Sequence, residues 1–419
     1  MPNYNQQYLA YLDAVKKPFV KVCRLRFLNP DGTTAFIIDN NRLNRRAPAF
    51  IETGTLNVNL QNGTRRTASI TLSNVTGEYD YDVNNLWFGA EIALDEGLIL
   101  PDGTPYYFQD GVFLVETPET RILPSERTVT YSLVDKWALH DGTLDGNLEA
   151  TYKVEYGTNV FAPIIALLSL QKGNGYPVDS VAPVFTNYYD SMTQTLQDGT
   201  VANLTDAPYT LETDSTRAEV ILGLAAMLNA WVGYDAIGAL RIEPSQDDIL
   251  DTTKPVQYAF DMRETTLLGA TYKAENTKVY NDYIVVGQAL DEESVQPCAR
   301  AQNLDPRSPT NINIIGRKTY REQKSGYVTQ TMCEDYAEWK LKRTAILQNS
   351  VNIQCSQLFH IRENELVTLT RTDKQGSPVE RHLVTGFSRP LASTAPMTIS
   401  CTSVMDFPVA TLVPWPPAD

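Results

Sequence analysis

Paired carboxylates are the first feature of this sequence that could do chemistry. A glycoside hydrolase uses one carboxyl group as a general acid and a second as a nucleophile or base. Three close pairs have suitable side chains, and they are Asp80 with Asp82, Glu116 with Glu119, and Glu363 with Glu365. With 50 Asp and Glu residues in the chain, such spacings arise easily by chance. A general acid also needs a pocket that raises its pKa, so the pairs alone do not predict a catalytic site.

Histidine and nucleotide chemistry are restricted, since the sequence holds only His140, His360 and His382. The segment His360-Ile361-Arg362-Glu363 differs from a zinc-binding helix, in which two histidines lie one turn apart. The sequence also lacks the glycine-rich loops that hold phosphates and the GxSxG turn of serine hydrolases. We therefore predict that the protein is not an enzyme.

The sequence also lacks the residue patterns of a metal site and of a disulfide framework. The five cysteines are scattered without a CxxC pair, which is typical of reduced thiols in hydrophobic cores. The run Asp80-Tyr81-Asp82-Val83-Asn84 alternates oxygen ligands, but it lacks the glycine and distal glutamate of an EF-hand loop. We interpret this run as ordinary turn chemistry and predict neither a metal site nor a cofactor.

The net charge of −15 is unevenly distributed along the chain. Residues 1–47 carry eight Lys or Arg against three Asp, whereas residues 74–150 carry fifteen Asp or Glu against three basic residues. Opposite potentials on opposite surfaces would favour head-to-tail association of subunits. The alternative is a solvated acidic surface that keeps the protein soluble. The overall acidity is the wrong sign for tight binding to nucleic acid.

Regular strand signals follow an N-terminal arm, residues 1–18, and define a first predicted domain, residues 19–150. Cys23, Leu25 and Phe27 alternate with arginines before a turn, and a second hairpin pairs residues 56–60 with residues 68–72. Short strands at regular intervals suggest a barrel or a sandwich. No secretory signal is visible in residues 1–17, so we expect folding in a cytoplasm.

Helical spacing appears in residues 151–255, which we predict to be a mixed helix and strand insert domain. Residues 161–170 form a short apolar run, and Thr216-Arg217-Ala218-Glu219 reads as a capping box before an apolar stripe. The most apolar segment, Val220–Val232, is shorter than the roughly 20 residues that span a bilayer. We therefore expect no membrane insertion.

Strand patterns resume in residues 256–405, which form the second predicted domain. It includes one helix at about residues 331–347, which begins at a capping box, Thr331-Met332-Cys333-Glu334. Residues 406–419 are rich in proline and predict an extended tail. The fold class is therefore mainly β with an α+β insert, in which two β-barrel-like domains flank the mixed domain.

Nine segments carry recognisable motifs, and they are residues 68–74, 88–97, 108–113, 131–136, 233–242, 280–287, 334–347, 351–355 and 364–369. Together they resemble the central hub proteins of phage baseplates, a family of tube-domain proteins in tailed phages and contractile injection systems. Members of this family form homotrimers in which each subunit gives two tube domains to a pseudo-sixfold ring. The resemblance implies a virion protein, assembled in the host cytoplasm, that joins the tail tube to a spike or fibre.

The implied partners are further copies of the chain, a distal tail or tail tube protein, the tape measure protein and the spike or fibre protein. DNA would pass through the ring without specific binding. The acidic segment suggests a repulsive channel wall, for which Glu91, Asp95 and Glu96 are the candidate residues. Two alternatives stay open, a distal-tail or carbohydrate-binding adaptor and a hydrolase of cell-wall glycan.

Overall fold

The computed structural model describes the chain in ranges, and β-strands dominate them. The ranges are 6–41, 49–80, 90–155, 157–171, 177–185, 193–195, 201–203, 209–211, 215–228, 230–245, 253–275, 279–289, 295–324, 327–345, 348–372, 376, 378–404 and 408–415. Thirteen strands belong to one sheet. Eleven of these strands follow one another in a linear order, which we call the main path of the sheet. Among the described residues, no pairing joins the first and last strands of that path into a barrel.

The first part of the chain is a short helix followed by seven strands of the large sheet. These elements are α1 (Gln6–Ala14), β1 (Lys21–Leu28), β2 (Thr34–Asp39), β3 (Phe50–Asn59), β4 (Arg66–Ser73), β5 (Glu91–Ile99), β6 (Pro105–Leu123) and β7 (Glu126–Asp135). The two predicted hairpins are the antiparallel pairs β1 with β2 and β3 with β4. Strict alternation of buried and half-buried side chains in β1 explains why its pattern was readable from sequence.

The insert contains two helices and several short strands. They are β8 (Tyr152–Val154), α2 (Phe161–Leu168), β9 (Val184–Phe185), β10 (Thr193–Thr195), β11 (Val201–Asn203), β12 (Tyr209–Leu211), α3 (Arg217–Met227), β13 (Trp231–Tyr234) and β14 (Leu240–Glu243). The capping box predicted for α3 is present, because the Thr216 hydroxyl accepts from the Glu219 N–H and the Glu219 carboxylate accepts from the Thr216 N–H.

The last part returns to strands around one long helix. Its elements are β15 (Val256–Asp261), β16 (Leu267–Glu275), β17 (Asp282–Val286), β18 (Cys298–Asn303), α4 (Ile312–Ile315), β19 (Thr319–Gln323), α5 (Gln330–Thr344), β20 (Gln348–Cys355), β21 (Leu366–Thr370), β22 (Val379–Pro390), β23 (Met397–Ser403) and β24 (Ala410–Val413).

The two β-rich parts of the chain meet along β3 and β22, and this pairing makes them one sheet. The sheet runs in the order β16, β20, β23, β22, β3, β4, β7, β6, β5, β1, β2. Gly386 faces Asn59 in the antiparallel pairing of β22 with β3. A Cβ atom at residue 386 would lie 2.4 Å from the Val58 carbonyl oxygen, so only glycine permits this close approach of the strands.

Two large hydrophobic cores result, and they do not follow the predicted domain limits. The first is shared by both β-rich parts, since it joins Leu25 and Tyr131 to Phe260 and Ile399. The second combines the insert with residues of β17, β18 and α5, which the sequence pattern placed in the second domain. Helix α5 packs on β17 and β18 and shares this core with the insert. The Tyr327 hydroxyl, just before α5, donates to the Ala226 carbonyl of α3.

Three local predictions need correction. Helix α5 begins at Gln330, and Thr329 caps it by accepting from the Met332 N–H, so the predicted capping box at Thr331 is wrong. The described part of the predicted tail includes β24, which pairs with β18 instead of standing free. The run Lys278-Val279-Tyr280 also predicts a strand from its sequence, but Val279 and Tyr280 precede β17 and are not in a strand, and Lys278 lies outside the described residues.

Candidate functional site

The carboxylate pairs are engaged in structural contacts or lie apart from any catalytic partner. Burial raises the pKa of Glu363, but the guanidinium groups of Arg66 and Arg65 outweigh burial and leave that pKa below its ordinary value. A general acid needs the opposite shift. Asp80 accepts from Asn74 and forms an ion pair with Arg127. Glu116 and Glu119 are exposed on β6, and Asp82 lies outside the described residues.

Each of the three histidines is buried against neighbouring side chains. His140 is buried and shares a hydrogen bond of 2.8 Å with the Tyr234 hydroxyl. His360 shares one of 2.8 Å with the Tyr11 hydroxyl of α1, and burial lowers the pKa of His360 to about 4. His382 is buried beside Glu380. These contacts hold α1 and the insert against the sheet.

The most unusual constellation is a buried chain of ions where the two β-rich parts meet. Lys21 Nζ lies 2.5 Å from Glu96 Oε1, and Arg389 Nε donates to Glu96 Oε2 at 2.7 Å. Arg389 Nη2 lies 2.7 Å from Asp110 Oδ2, and Arg362 Nη1 lies 3.2 Å from Asp110 Oδ1. The side chains of Glu96, Asp110 and Arg389 are fully buried. We call these five residues the ionic junction.

The residues of the ionic junction come from distant parts of the sequence. Lys21, Glu96 and Asp110 come from β1, β5 and β6, whereas Arg362 and Arg389 come from the last part of the chain. Two backbone carbonyls also accept hydrogen bonds from the cations of the ionic junction: Lys21 donates to the Pro390 carbonyl, and Arg389 donates to the Leu358 carbonyl. Buried charges survive only when they are paired in this way.

The pKa shifts favour the charged forms of Glu96 and Arg389, whereas burial lowers the pKa of Lys21 and of Arg362. Burial raises the pKa of Glu96, yet the positive charges of Arg389 and Lys21 overcome it and the net pKa lies below the ordinary value. The pKa of Arg389 is raised although burial opposes this, because Asp110 and Glu96 both face its guanidinium. Asp110 has a raised pKa, since its burial exceeds the effect of Arg389 and Arg362.

A second buried group extends the contact to the insert. Arg66 of β4 donates from Nη2 to both oxygens of Glu363, at 2.8 and 2.6 Å, and from Nη1 to the Tyr234 carbonyl of β13. Asp135 accepts from the backbone N–H groups of Arg65 and Arg66. The first β-rich part, the last part of the chain and the insert are thus joined at one place.

Two of the three predicted channel residues, Asp95 and Glu96, are buried. Glu96 is fully buried in the ionic junction, and Asp95 is 2% exposed and accepts from Arg24 and Arg26. Each of these two side chains is paired with a neighbouring cation within the sheet, and their place at a channel wall stays a prediction. Glu91, at the start of β5, is half-buried and is the one candidate of the three that still reaches solvent.

The ionic junction was not found from the sequence, for a physical reason. Lys21 and Arg389 are 368 positions apart, and no local spacing marks charges that meet only after the sheet forms. One signal was present, since the segment Glu91–Ile99 places two acidic residues inside a strand with apolar residues on both sides. Such a pattern indicates buried acids with partners elsewhere.

The other candidate functional features are strands with a free edge. Within the described part of the chain, β2 and β16 end the main path of the large sheet, and β19 and β24 end a four-stranded sheet ordered β19, β17, β18, β24. Free edges offer unpaired backbone groups to another chain. In the same residues no helix has the length and apolarity to cross a bilayer.

Comparisons with known proteins agree with this architecture. No protein-family model matches the sequence, and no curated protein matches it. Among solved structures, the tail protein from Neisseria meningitidis MC58 has a TM-score of 0.58 at 9% identity and covers 92% of this chain and 97% of its own. The 43 kDa tail protein of prophage MuSo2 from Shewanella oneidensis has a TM-score of 0.57 at 11% identity, with 91% and 98% covered.

A third solved structure has a similar extent of likeness. The prophage tail protein gp18 from Listeria monocytogenes EGD-e has a TM-score of 0.54 at 8% identity and covers 91% of this chain and 94% of its own. All three alignments span both β-rich parts and the insert, because they cover more than nine-tenths of the chain. The chain therefore shares its fold with these three phage tail proteins, which agrees with the resemblance of its sequence segments.

Proposed function

We propose that the protein is a structural hub of a phage-type tail, in which three copies close into a ring between the tail tube and the spike or fibre. The ring belongs to the baseplate of the virion and is assembled in the host cytoplasm. Each copy contributes two β-rich parts, so that three copies give six units around the axis. The tape measure protein and DNA pass through the opening, and a distal tail or tube protein docks above.

The observation that carries this proposal is the continuous sheet with a free edge at each end of its main path; β15, which pairs only with β21 among the described strands, is a further edge off that path. Because β3 and β22 join the two β-rich parts, the main path has one open edge at β2 and another at β16. An interface between two different edges is heterologous, and heterologous interfaces close into rings when the rotation per subunit permits it. The shared fold with prophage tail proteins supports the setting.

The ionic junction supports a hub that bears load. A ring element that connects two machines must keep the angle between its two units fixed. The junction restrains that angle, because any hinge between β3 and β22 would separate Arg389 from Glu96 and Asp110 and leave charges buried without partners. The shared hydrophobic core acts in the same direction.

Passage of DNA past an acidic wall is the finer part of the proposal. Its remaining support is the excess of acidic residues in residues 74–150, with Glu91 as the candidate that reaches solvent. Like charges on wall and duplex oppose adhesion. Replacing Glu91 with Gln should impair genome delivery more than particle assembly, and equal loss of both would count against the channel wall.

The ring is tested at the β2 edge. The Asn40 N–H donates to the Cys23 carbonyl, and the alternation of an antiparallel ladder then turns the Ile37 N–H away from β1. Ile37→Pro removes that outward donor and leaves the β1 ladder intact. Ile37→Thr keeps the donor and is the matched control.

Light scattering coupled to size exclusion gives the readout. We expect the natural chain and Ile37→Thr to form trimers of about 140 kDa, three times the 46.8 kDa chain, and Ile37→Pro to stay monomeric. A proline variant that trimerises as well as the natural chain would exclude β2 from the interface. Far-ultraviolet circular dichroism checks that the variants are folded.

A further inference from the structure

Strand β19 is a free edge on the far side of the insert core. It pairs in parallel with β17 and has no other strand partner among the described residues. Its side chains are mostly exposed along the whole strand, with Tyr320 at 40% exposure. A strand of five residues without proline can therefore accept a neighbour along its outer side.

The hydrogen-bond register shows which backbone groups face outward. β17 turns its odd positions toward β18, since the Asn303 N–H donates to the Asn281 carbonyl and the Gly287 N–H donates to the Pro297 carbonyl. Its even positions face β19, as the bond from the Lys324 N–H to the Val286 carbonyl confirms. In β19, Thr319, Arg321 and Gln323 consequently direct N–H and C=O groups away from the sheet.

The surroundings of this edge are basic in a strongly acidic chain. Residues 317–324 contain four basic side chains and one acidic side chain, which are Arg317, Lys318, Arg321, Lys324 and Glu322. The chain as a whole carries −15. Glu322 accepts from Tyr283 and Tyr336 and also forms an ion pair of 3.1 Å with Lys324, so the positive charge of the outer side comes from Arg321 and the neighbouring Arg317 and Lys318.

An apolar contact lies next to the charged edge. Ile314 of α4 is 63% exposed and Ile315 is 38% exposed, and both directly precede the basic run. Exposed isoleucines beside an unpaired strand are typical of a surface that another chain covers. The combination offers backbone hydrogen bonds, positive charge and apolar contact in one segment of twelve residues, 312–323.

The charge decides which kind of strand fits. A second copy of β19 would bring arginine against arginine, and like charges across a strand pair are unfavourable. The free ends of the large sheet are also unsuitable, because β2 carries a single acidic residue, Asp39, and β16 carries Lys273 before Glu275. β24 has no acidic residue and is followed by Pro414. Because none of these strands is strongly acidic, we expect another protein to supply the strand that pairs with β19.

We propose that β19 binds an extended acidic segment of a partner protein, which adds to the four-stranded sheet as a fifth strand. Main-chain hydrogen bonds from Thr319, Arg321 and Gln323 provide affinity, and the basic side chains select for acidic residues. This surface is independent of the β2 and β16 edges, so the inference holds or fails separately from the ring.

The test uses the full chain and a fluorescent peptide that alternates glutamate with valine. We expect saturable binding by fluorescence anisotropy, with affinity that falls as salt concentration rises. Arg321→Pro removes one outward N–H and one charge, and Arg321→Glu reverses the charge but keeps the N–H. Each should weaken binding about tenfold or more, which corresponds to about 1.4 kcal/mol.

Two controls separate strand addition from simple attraction. Lys153→Glu makes the same charge change on exposed β8, away from β19, and should leave binding unchanged. A peptide of the same sequence with alternate backbone nitrogens methylated keeps its charge but loses donors, and it should not bind. Equal binding of the methylated peptide, of a lysine-for-glutamate peptide or by Arg321→Glu would overturn the proposal, as would no binding of the acidic peptide.

Discussion

The ionic junction and the β19 edge both place arginine on a β-strand, and they differ in burial. Arg389 is fully buried between Glu96 and Asp110, whereas Arg321 is exposed beside unpaired backbone groups. A buried guanidinium without its partners costs several kcal/mol, while an exposed one is solvated at little cost. Arginine therefore holds the two β-rich parts together in one region and is available for recognition in the other.

The same contrast explains where the protein tolerates change. Among the described strands, those that carry the ionic junction are paired with another strand along both edges. At Gly386 the neighbouring strand is so close that an added Cβ atom would meet the Val58 carbonyl oxygen. Strands at the ends of the sheets keep one side open. Substitutions should accordingly reduce the free energy of unfolding at the junction and affect association at the edges.

The largest expected effect comes from breaking the ionic junction. Arg389→Met leaves Glu96 and Asp110 buried beside fewer cations, so the free energy of unfolding should fall by about 3–5 kcal/mol. Urea denaturation followed by fluorescence measures it. Arg263→Met is the control, because Arg263 is exposed in its pair with Asp261, and it should lower the free energy of unfolding by about 1 kcal/mol or less. Similar losses in both variants would remove the distinction between the two regions.

A pH series sharpens the comparison at Asp135, which lies beside the junction. Burial raises the pKa of Asp135 to about 6, although the backbone N–H groups of Arg66, Arg65 and Trp137 oppose the shift. Between pH 4 and pH 6 the folded state binds more protons at this residue than the unfolded state, so its contribution to stability falls as pH rises. From pH 4 to pH 7 the stability of the natural chain relative to Asp135→Asn should fall by about 3 kcal/mol.

Asp261 on β15 gives the opposite sign and serves as the control. Its pKa is lowered to about 2 by hydrogen bonds from Arg263, so the stability it contributes is lost as pH falls through the acid range. The natural chain should therefore lose stability relative to Asp261→Asn on acidification. Equal slopes for the Asp135 and Asp261 variants would show that burial does not control Asp135.

The smallest effect compares two glycines in strands. Gly386→Ala forces a Cβ atom toward the Val58 carbonyl in the β3 and β22 pairing, and we expect a loss of about 1–3 kcal/mol. Gly269 lies in edge strand β16, where a Cβ atom would meet no heavy atom within 4 Å, so Gly269→Ala should cause no loss. Thermal unfolding of both variants measures the two losses, and a costly Gly269→Ala would contradict the open space on the face of the sheet beside residue 269.

Local features of the fold were predictable from sequence because they depend on neighbouring residues. The alternation in β1, the hairpin of β3 with β4 and the capping box of α3 each involve residues that are close along the chain. The start of α5 was missed because Thr329 and Thr331 are both good caps, and only the extended backbone of Thr329 selects between them.

Long-range features could not be predicted in the same way. The pairing of β3 with β22 joins residues more than 300 positions apart, and α5 packs on β17, β18 and β24 in a core that it shares with the insert. The prediction that Asp95 and Glu96 face a channel did not anticipate their burial, because the cations that pair with them come from another strand. Charge counts along a sequence do not reveal which charges are paired.

The central claim is that three copies of this rigid, two-part subunit close into a ring. Electron microscopy of the purified protein, with two-dimensional averages viewed along the axis, tests it most directly. We predict a closed ring of six similar lobes with threefold symmetry around an open channel. Isolated two-lobed particles at every protein concentration, or an open filament, would contradict it.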